Sequence, residues 1–528
     1  MQRMSEPLPA DAAGTAFANG LSRRQVLTVL GGLMVGLLLS ALDTTIVATA
    51  LPTIAGRLGG LEHIAWVATA YLLASTSATP IIGKLSDLYG RRRLFQASIV
   101  IFLVGSLLCA VAQTFVQLVV FRGIQGIGGG GLMSMAFIIV GDLIPPRDRG
   151  RYTGFFTSVF ALSSIVGPLI GGFFVDNLTW RWIFTINLPI GIVALFVTNR
   201  ALHIPHVKRD HRIDWQGAVL MVTSVMLLIL AATWGGHEYA WGSAVIRLMV
   251  VGGLVVLGVF IWWERRVPEP MIPMRLFANP VVATSMIALV FMGSLLFSTD
   301  SFLPLFMQAV TGASATRSGL LLMPLMLGVT VGSVGSGRLV SIWGRYKIFP
   351  VVGLGLAFTA VLLFTRLAVD TQRWYVSAVQ VVMGLGIGMT MPTTTTAVQN
   401  AVDGRDIGVA SALAQFMRSF GGACGLAGYG AVFASRVSSR LSPQLARSIE
   451  DPKGIAQLAP DVRHQVVAAI ASGVRSVYVF ALPAIAIAWV AMLFLREVPL
   501  RRTAAFDRAG DADPSSNPGG EPMVITGH

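Results

Sequence analysis

The sequence predicts an all-α integral membrane protein with fourteen transmembrane helices, arranged as two six-helix bundles plus two extra helices between them. Three observations lead there. Of 528 residues, 54% are hydrophobic and only 12% charged, about half the charged share of an ordinary soluble domain. Long apolar stretches recur fourteen times, each close to the roughly 20 residues that a membrane-spanning helix requires. A loop motif also occurs twice in the same register. What remains of the chain suffices for short loops and tails and leaves no room for a large soluble domain.

The apolar stretches place the first eight spans at 26–47, 64–83, 94–112, 117–140, 152–174, 182–199, 215–234 and 245–263. Six more fall at 281–303, 318–337, 348–366, 374–396, 408–433 and 474–495. Residues 1–25 include Asp11 and lack an apolar core before Gln25, so they read as a polar cytoplasmic tail rather than a cleavable signal peptide. The first helix is then the insertion signal. The stretch 497–528 is rich in Pro, Gly, Ser and Asp and reads as a disordered tail without an output domain.

Two related halves are visible. Gly83-Lys-Leu-Ser-Asp87-Leu-Tyr-Gly90-Arg91-Arg92-Arg93 aligns without gaps with Gly337-Arg-Leu-Val-Ser341-Ile-Trp-Gly344-Arg345-Tyr-Lys347, at an offset of 254. Gly126, Gly128 and Gly130 match Gly384, Gly386 and Gly388 at an offset of 258, as does Arg147-Asp148 with Arg405-Asp406. A drift of four residues is what one loop insertion produces. Parallel repeats with substrate between them are a recurring design of secondary transporters. The repeats divide the chain into a first bundle over 26–200, an inter-bundle segment with the two extra helices over 201–280, and a second bundle over 281–496.

Net charge is +14, from 35 Arg and 4 Lys against 25 acids. In a soluble chain that balance would suggest nucleic-acid binding, but its placement follows topology. Arg23 and Arg24, Lys84 with Arg91 to Arg93, Arg147, Arg149 and Arg151, Lys208 and Arg209, and later Arg338, Arg345, Arg501 and Arg502 all fall on one side of the alternating spans. Basic residues near helix ends stay cytoplasmic. Both termini are therefore expected in the cytoplasm and the chain in a plasma (inner) membrane, with no nucleic-acid partner. Trp180, Trp182, Trp234, Trp241, Trp262 and Trp263 sit at span ends and fit an interfacial belt. Cys109 and Cys424 lie in separate apolar runs and read as small core residues, not a disulfide or a metal site.

The motifs resemble those of the major facilitator superfamily, specifically its fourteen-helix drug:proton antiporter branch, over roughly residues 26–496. Gly83, Asp87, Gly90, Arg91 and Arg92 match the loop between helices 2 and 3. Leu118, Arg122, Gln125, Gly126 and Gly128 match the helix-4 motif. Gly167, Pro168, Gly171 and Gly172 match the helix-5 motif associated with antiporters. Leu42-Asp43-Thr44-Thr45-Ile46-Val47 with Ala50-Leu51-Pro52 matches the helix-1 motif of the branch. Three positions depart from the pattern: Ser163 replaces the first helix-5 glycine, Ala48 a common asparagine, and Ser341 the acid of the second loop copy. The last implies that only the first copy keeps a full charge switch. The resemblance implies the major facilitator fold and export of drugs driven by the proton motive force.

Ionisable groups within a membrane are costly and usually face a cavity or a partner. Asp43, Arg122, Asp300 and Arg418 are the four that stand out. With Pro52 taken as the outer end of helix 1, Asp43 and Arg122 share a depth of roughly 12 Å at 1.5 Å per residue. A carboxylate beside an arginine there can load and release a proton, against the simpler alternative of a structural ion pair. Asp300, three residues before Leu303-Pro304, is expected near the external interface, and Arg418 near mid-membrane with an unread partner. In the 83–93 loop, Gly83 and Gly90 permit close approach and a sharp turn while Asp87 pairs with arginines or helix ends. The small residues of helix 5 permit close packing and a pliable gate.

Other motifs fail. Gly126 to Gly131 fits a dinucleotide-loop pattern but lies inside an apolar helix with no preceding strand. The four lysines are followed by Leu85, Arg209, Ile348 and Gly454, so no nucleotide-binding loop and no ATPase motor is encoded. His237-Glu238 lacks the second histidine of a zinc protease, and His203, His206 and His211 read as solvated, so no metal and no cofactor is expected. No nucleophile with a base is present, which argues against an enzyme. The expected partners are protons, the lipid bilayer and a small amphipathic substrate, with Phe and Met side chains suited to lipophilic cations. A lipid, siderophore or amino acid remains an alternative cargo, and a non-transporting sensor or assembly partner an alternative of another class. The external loop 434–473 either docks a periplasmic or cell-envelope partner or closes over the mouth.

Overall fold

The structure is a computed structural model. It describes residues 23–60, 63–202, 213–236, 238–311, 321–441, 445 and 459–500. Among these, fourteen helices of 15 residues or more follow one another. The first six are α1 (Arg23–Leu58), α2 (Ala65–Tyr89), α3 (Arg91–Val111), α4 (Phe115–Leu143), α5 (Pro146–Asn177) and α6 (Asn187–Ala201). Next come α7 (Trp215–Trp234) and α8 (Ala244–Glu264). The last six are α9 (Pro280–Thr311), α10 (Met323–Trp343), α11 (Ile348–Phe364), α12 (Arg373–Ala401), α13 (Ile407–Ser438) and α14 (Pro460–Leu493). Eleven stretches are long and apolar enough to cross a membrane, α6 counting together with the short helical turn before it as Trp182–Ala201, and α2, α11 and α13 fall outside that set.

Local sequence accounts for the ends. Thr114 accepts from the Gln117 amide while Gln117 reaches back to the Thr114 amide, a capping box that starts α4. Asp214 and Ser243 cap α7 and α8 in the same way with their side-chain oxygens. Gly90 and Gly344, equivalent positions of the two loop copies, both take positive φ, 91° and 71°. Only glycine enters that region cheaply, so the repeated glycine terminates α2 and α10 alike.

Packing repeats with the sequence. α2 and α3 lie on α4, and α10 and α11 lie on α12. Added Cβ atoms on Gly126 and Gly128 would stand 2.5 Å from the Tyr71 carbonyl of α2 and the Phe102 amide of α3. On Gly384 and Gly386 they would stand 2.8 Å from the Val329 amide of α10 and 2.6 Å from the Gly353 carbonyl of α11. The glycines at offset 258 therefore bring each half's fourth helix against its second and third, as small residues do in membrane bundles. The halves meet through α5 against α10 and α2 against α13. The extra helices pair with each other, and α7 packs on both α2 and α13, so the pair lies along a seam between the halves.

Several element boundaries differ from those the hydropathy predicts. α1 continues past Pro52 to Leu58, and α9 past Pro304 to Thr311, because a proline inside a membrane helix is accommodated by its neighbours. α14 starts at Pro460 and not at 474, which turns the end of the 434–473 loop into helix. Residues 442–444 and 446–458 of that loop, the 1–22 part of the N-terminal tail, the 501–528 part of the C-terminal tail, and His203, His206, His211 and His237 lie outside the described residues. Trp180, between α5 and the next helical segment, is 1% exposed and so packs inside the protein, with its ring under the Arg181 guanidinium at 4.5 Å.

Candidate functional site

In the first half, α1, α3, α4 and α6 enclose a polar cluster. Asp43 on α1 is 0% exposed and Arg122 on α4 is 2% exposed. Arg122 Nη1 donates to Asp43 Oδ2 at 2.5 Å and to Gln125 Oε1 at 2.6 Å. Gln125 Nε2 donates to Asp43 Oδ1 at 2.8 Å and to Ser106 Oγ at 2.6 Å. Asn187 Nδ2 donates to the same Asp43 Oδ1 at 2.9 Å and to Ser106 Oγ at 3.0 Å. Both oxygens of the carboxylate are thus held by donors on α4 and α6. A buried charge is tolerable only when paired and hydrogen-bonded in this manner. The Arg122 guanidinium also lies 4.3 Å from the Tyr71 ring centroid, and Tyr71 hydrogen-bonds Ser40 at 2.8 Å.

The shared depth of Asp43 and Arg122 is therefore found, although α1 ends 15 residues beyond Asp43 instead of nine. Asn187, Ser106 and Tyr71 escape sequence reasoning. Asn187 had a signal, being a polar amide inside the 182–199 apolar stretch. Ser106 and Tyr71 had none, since hydroxyls are common in helix packing.

The helix-5 motif lies against α1 just beyond this cluster. Thr45 Oγ1 donates to the Ser163 carbonyl at 3.0 Å. A Cβ on Gly167 would stand 2.6 Å from Thr45 Cβ, and one on Gly171 3.0 Å from the Ile46 carbonyl. Gly172 faces open space, so the close α1–α5 contact rests on Gly167 and Gly171. Pro168 lies within α5 between them.

The first loop motif joins the halves. Arg91 pairs with Asp87 at 2.5 Å and with Asp142 at 2.7 Å, and donates to Ser86 Oγ at 2.5 Å. Burial pushes the Asp87 carboxyl up, and the Arg91 guanidinium opposes it. Opposite stands α13: a Cβ on Gly408 would be 2.5 Å from Asp87 Oδ1, and one on Gly83 2.5 Å from Ala412 Cβ. Arg92 instead holds the end of α6, donating to Asn199 Oδ1 at 2.5 Å.

The second copy makes the matching contact to α5, where a Cβ on Gly150 would stand 2.6 Å from Gly337 Cα. Ser341 Oγ donates to Asp148 Oδ1 at 2.6 Å, and Arg147 Nε donates to the Ser341 carbonyl at 2.7 Å. A hydroxyl on the loop and an acid on the facing helix replace the loop acid of the first copy. Beside them Arg149, 0% exposed, donates to Gln399 Oε1 of α12 at 3.0 Å. Basic residues that topology alone accounts for thus include one that fastens the halves together.

Asp300 and Arg418 are not brought into this network. Asp300 is exposed on α9, 11 residues before that helix ends, so it is not at the helix terminus that Pro304 suggests. Arg418 is partly buried on α13 and donates to Gln415 Oε1 at 2.5 Å. Neither forms an ion pair among the described residues. No group of three or more metal-ligating side chains occurs among the described residues.

A family model described as Major Facilitator Superfamily matches residues 33–426. An uncharacterized MFS-type transporter of Mycobacterium tuberculosis is 37% identical over 519 residues, covering 96% of this chain and 75% of that protein. Multidrug resistance protein 3 of Bacillus subtilis is 36% identical over 491 residues, covering 90% of this chain and 96% of that protein. Among solved structures, the proton:xylose symporter XylE bound to 6-bromo-6-deoxy-D-glucose superposes with a TM-score of 0.60 at 15% identity, covering 93% of this chain and 99% of that one. That last likeness concerns the fold.

Proposed function

Because the chain belongs to the major facilitator superfamily, we propose that it is a proton-coupled exporter of amphipathic compounds that works by alternating access, in the fourteen-helix antiporter branch. It is a multi-pass membrane transporter and not an enzyme. Its relatives include a protein named for multidrug resistance, which supports drugs and similar compounds as cargo.

One observation carries the proton-coupled reading: a carboxylate with no exposure, whose two oxygens take hydrogen bonds from Arg122, Gln125 and Asn187 on two other helices. Its protonation state is tied to how α4 and α6 sit relative to α1. A motion of those helices changes the donors around Asp43 and with them its hold on a proton. In the cycle, Asp43 takes a proton from outside as substrate leaves, the halves rock, and proton loss to the cytoplasm readies the site for the next substrate. Arg122 tunes the acid. The loop contacts of Asp87 with Gly408 and Ser341 with Asp148 close the cytoplasmic end, and the glycines of α5 let α1 slide as it opens.

A susceptibility panel on cells with and without the gene selects a transported compound, and purified protein in liposomes then reports its movement under a pH gradient. Asp43→Asn protein is expected to lose the response to the gradient. Coupling at the wild-type rate in that variant would refute the assignment.

A further inference from the structure

The two membrane-embedded arginines are treated differently by the fold. Arg122 is neutralised by Asp43 at 2.5 Å. Arg418 forms no ion pair among the described residues. Its guanidinium has Gln415 Oε1 at 2.5 Å, the Met391 sulfur at 3.9 Å and the Phe137 ring centroid at 5.7 Å. A neutral amide, a thioether and an aromatic face do not balance a full positive charge, and a thioether is a weak acceptor. Five N–H donors in a planar fork suit a carboxylate, a sulfonate or a phosphate, which they bind bidentately.

Placement sets this arginine where the two halves face each other. Phe137 belongs to α4 of the first half, while Met391 and Arg418 belong to α12 and α13 of the second. Met133, Phe137, Met391 and Arg418 each keep partial exposure, although their neighbours Ala136, Pro392 and Gln415 are buried. Partial exposure where helices of opposite halves face each other marks a cleft between them. The cleft has a floor one helical turn from Phe137, where a Cβ on Gly141 would stand 2.9 Å from Gln399 Nε2 and 3.1 Å from Ile407. An amphiphile entering it meets sulfur and aromatic surface for its apolar body and one unbalanced cation for its head.

The acid Asp300 does not supply that balance. Gly293 of α9 packs directly on the Arg418 backbone, and Asp300 lies seven residues farther along α9, about 10 Å at 1.5 Å per residue. It forms no ion pair with Arg418 among the described residues. We infer that Arg418 is the head-group anchor of the transport site and that the preferred cargo is an amphipathic anion, not the lipophilic cation that abundant Phe and Met suggest. This rests on the reading of the chain as an exporter and names its substrate class.

A matched pair of fluorescent probes tests it: anthracene-9-carboxylate and 9-anthrylmethylammonium share an apolar body and differ in the sign of the head. Binding to the purified full chain in neutral detergent is measured by fluorescence anisotropy at pH 7, with empty micelles subtracted. Wild-type protein is expected to bind the carboxylate about tenfold or more tighter than the ammonium. Arg418→Gln is expected to erase that difference and Arg418→Lys to restore part of it, with unchanged gel-filtration elution showing that each variant is folded. Equal binding of the two probes by wild-type protein, or carboxylate binding untouched in folded Arg418→Gln, would overturn the inference. The measurement involves no pH gradient, so its outcome is independent of whether Asp43→Asn abolishes coupling.

Discussion

Arg122 donates to Asp43 at 2.5 Å from a position where both side chains are sealed from solvent, 2% and 0% exposed. The ion pair spans 79 residues of sequence and ties α1 to α4. Breaking such a pair leaves one charge uncompensated, which costs about 3–5 kcal/mol, whereas removing both partners costs much less. Arg122→Gln is therefore expected to lower the thermal midpoint of purified protein strongly, and Asp43→Asn/Arg122→Gln to recover much of the loss. Equal destabilisation by the single and the double variant would show that the two residues do not act as a pair.

Asn187 supplies a second donor to Asp43 Oδ1 and bridges it to Ser106. A hydrogen bond to a charged group contributes about 1.5–3 kcal/mol, so Asn187→Leu should slow gradient-driven transport in liposomes about tenfold or more while the protein remains folded. A wild-type rate in this variant would place Asn187 outside the coupling network.

At the second loop copy, Ser341 donates to Asp148 across the halves at 2.6 Å. Ser341→Asp puts two carboxylates face to face and is expected to impair transport more than Ser341→Ala does. The exchange Ser341→Asp/Asp148→Ser rebuilds a hydroxyl–carboxylate pair with its members reversed and should recover activity. Failure of the exchange, with both proteins folded, would mean that the pair has no part in closing that end.

The extra helices carry their own fastening. Glu238, in the turn between α7 and α8, accepts from Trp66 Nε1 at 3.0 Å and meets His63 Nδ1 at 2.9 Å, while Trp66 stacks on Trp234 at 5.4 Å. His63 and Glu238 are 45% and 26% exposed, and an exposed ion pair contributes at most about 1 kcal/mol. Trp66→Ala, which removes the stack together with the hydrogen bond, is accordingly expected to speed proteolysis of the α7–α8 turn more than His63→Ala does. The reverse order would mean that the ion pair and not the aromatic stack holds the turn.

Much of this molecule was legible from one dimension. The offsets of 254 and 258 foretell that Gly90 and Gly344 end equivalent helices and that Gly126 and Gly384 seat equivalent packings, because a repeated local sequence meets the same backbone demand each time. Pro52 and Pro304 misled as end marks, since surrounding helices satisfy the backbone groups that a proline leaves free.

By itself, the sequence determined the helical membrane class, the twofold repeat and the four ionisable residues that lipid would not tolerate without reason, because hydropathy, glycine spacing and the cost of a buried charge are properties of single residues and short stretches. Which of those four pair, and which do not, was decided only by tertiary structure. Asp43 finds Arg122, Gln125 and Asn187 at separations of 79 to 144 residues, and Arg418 faces Phe137 of the other half. Distances of that kind depend on how helices are rotated and seated against one another, which no local pattern encodes.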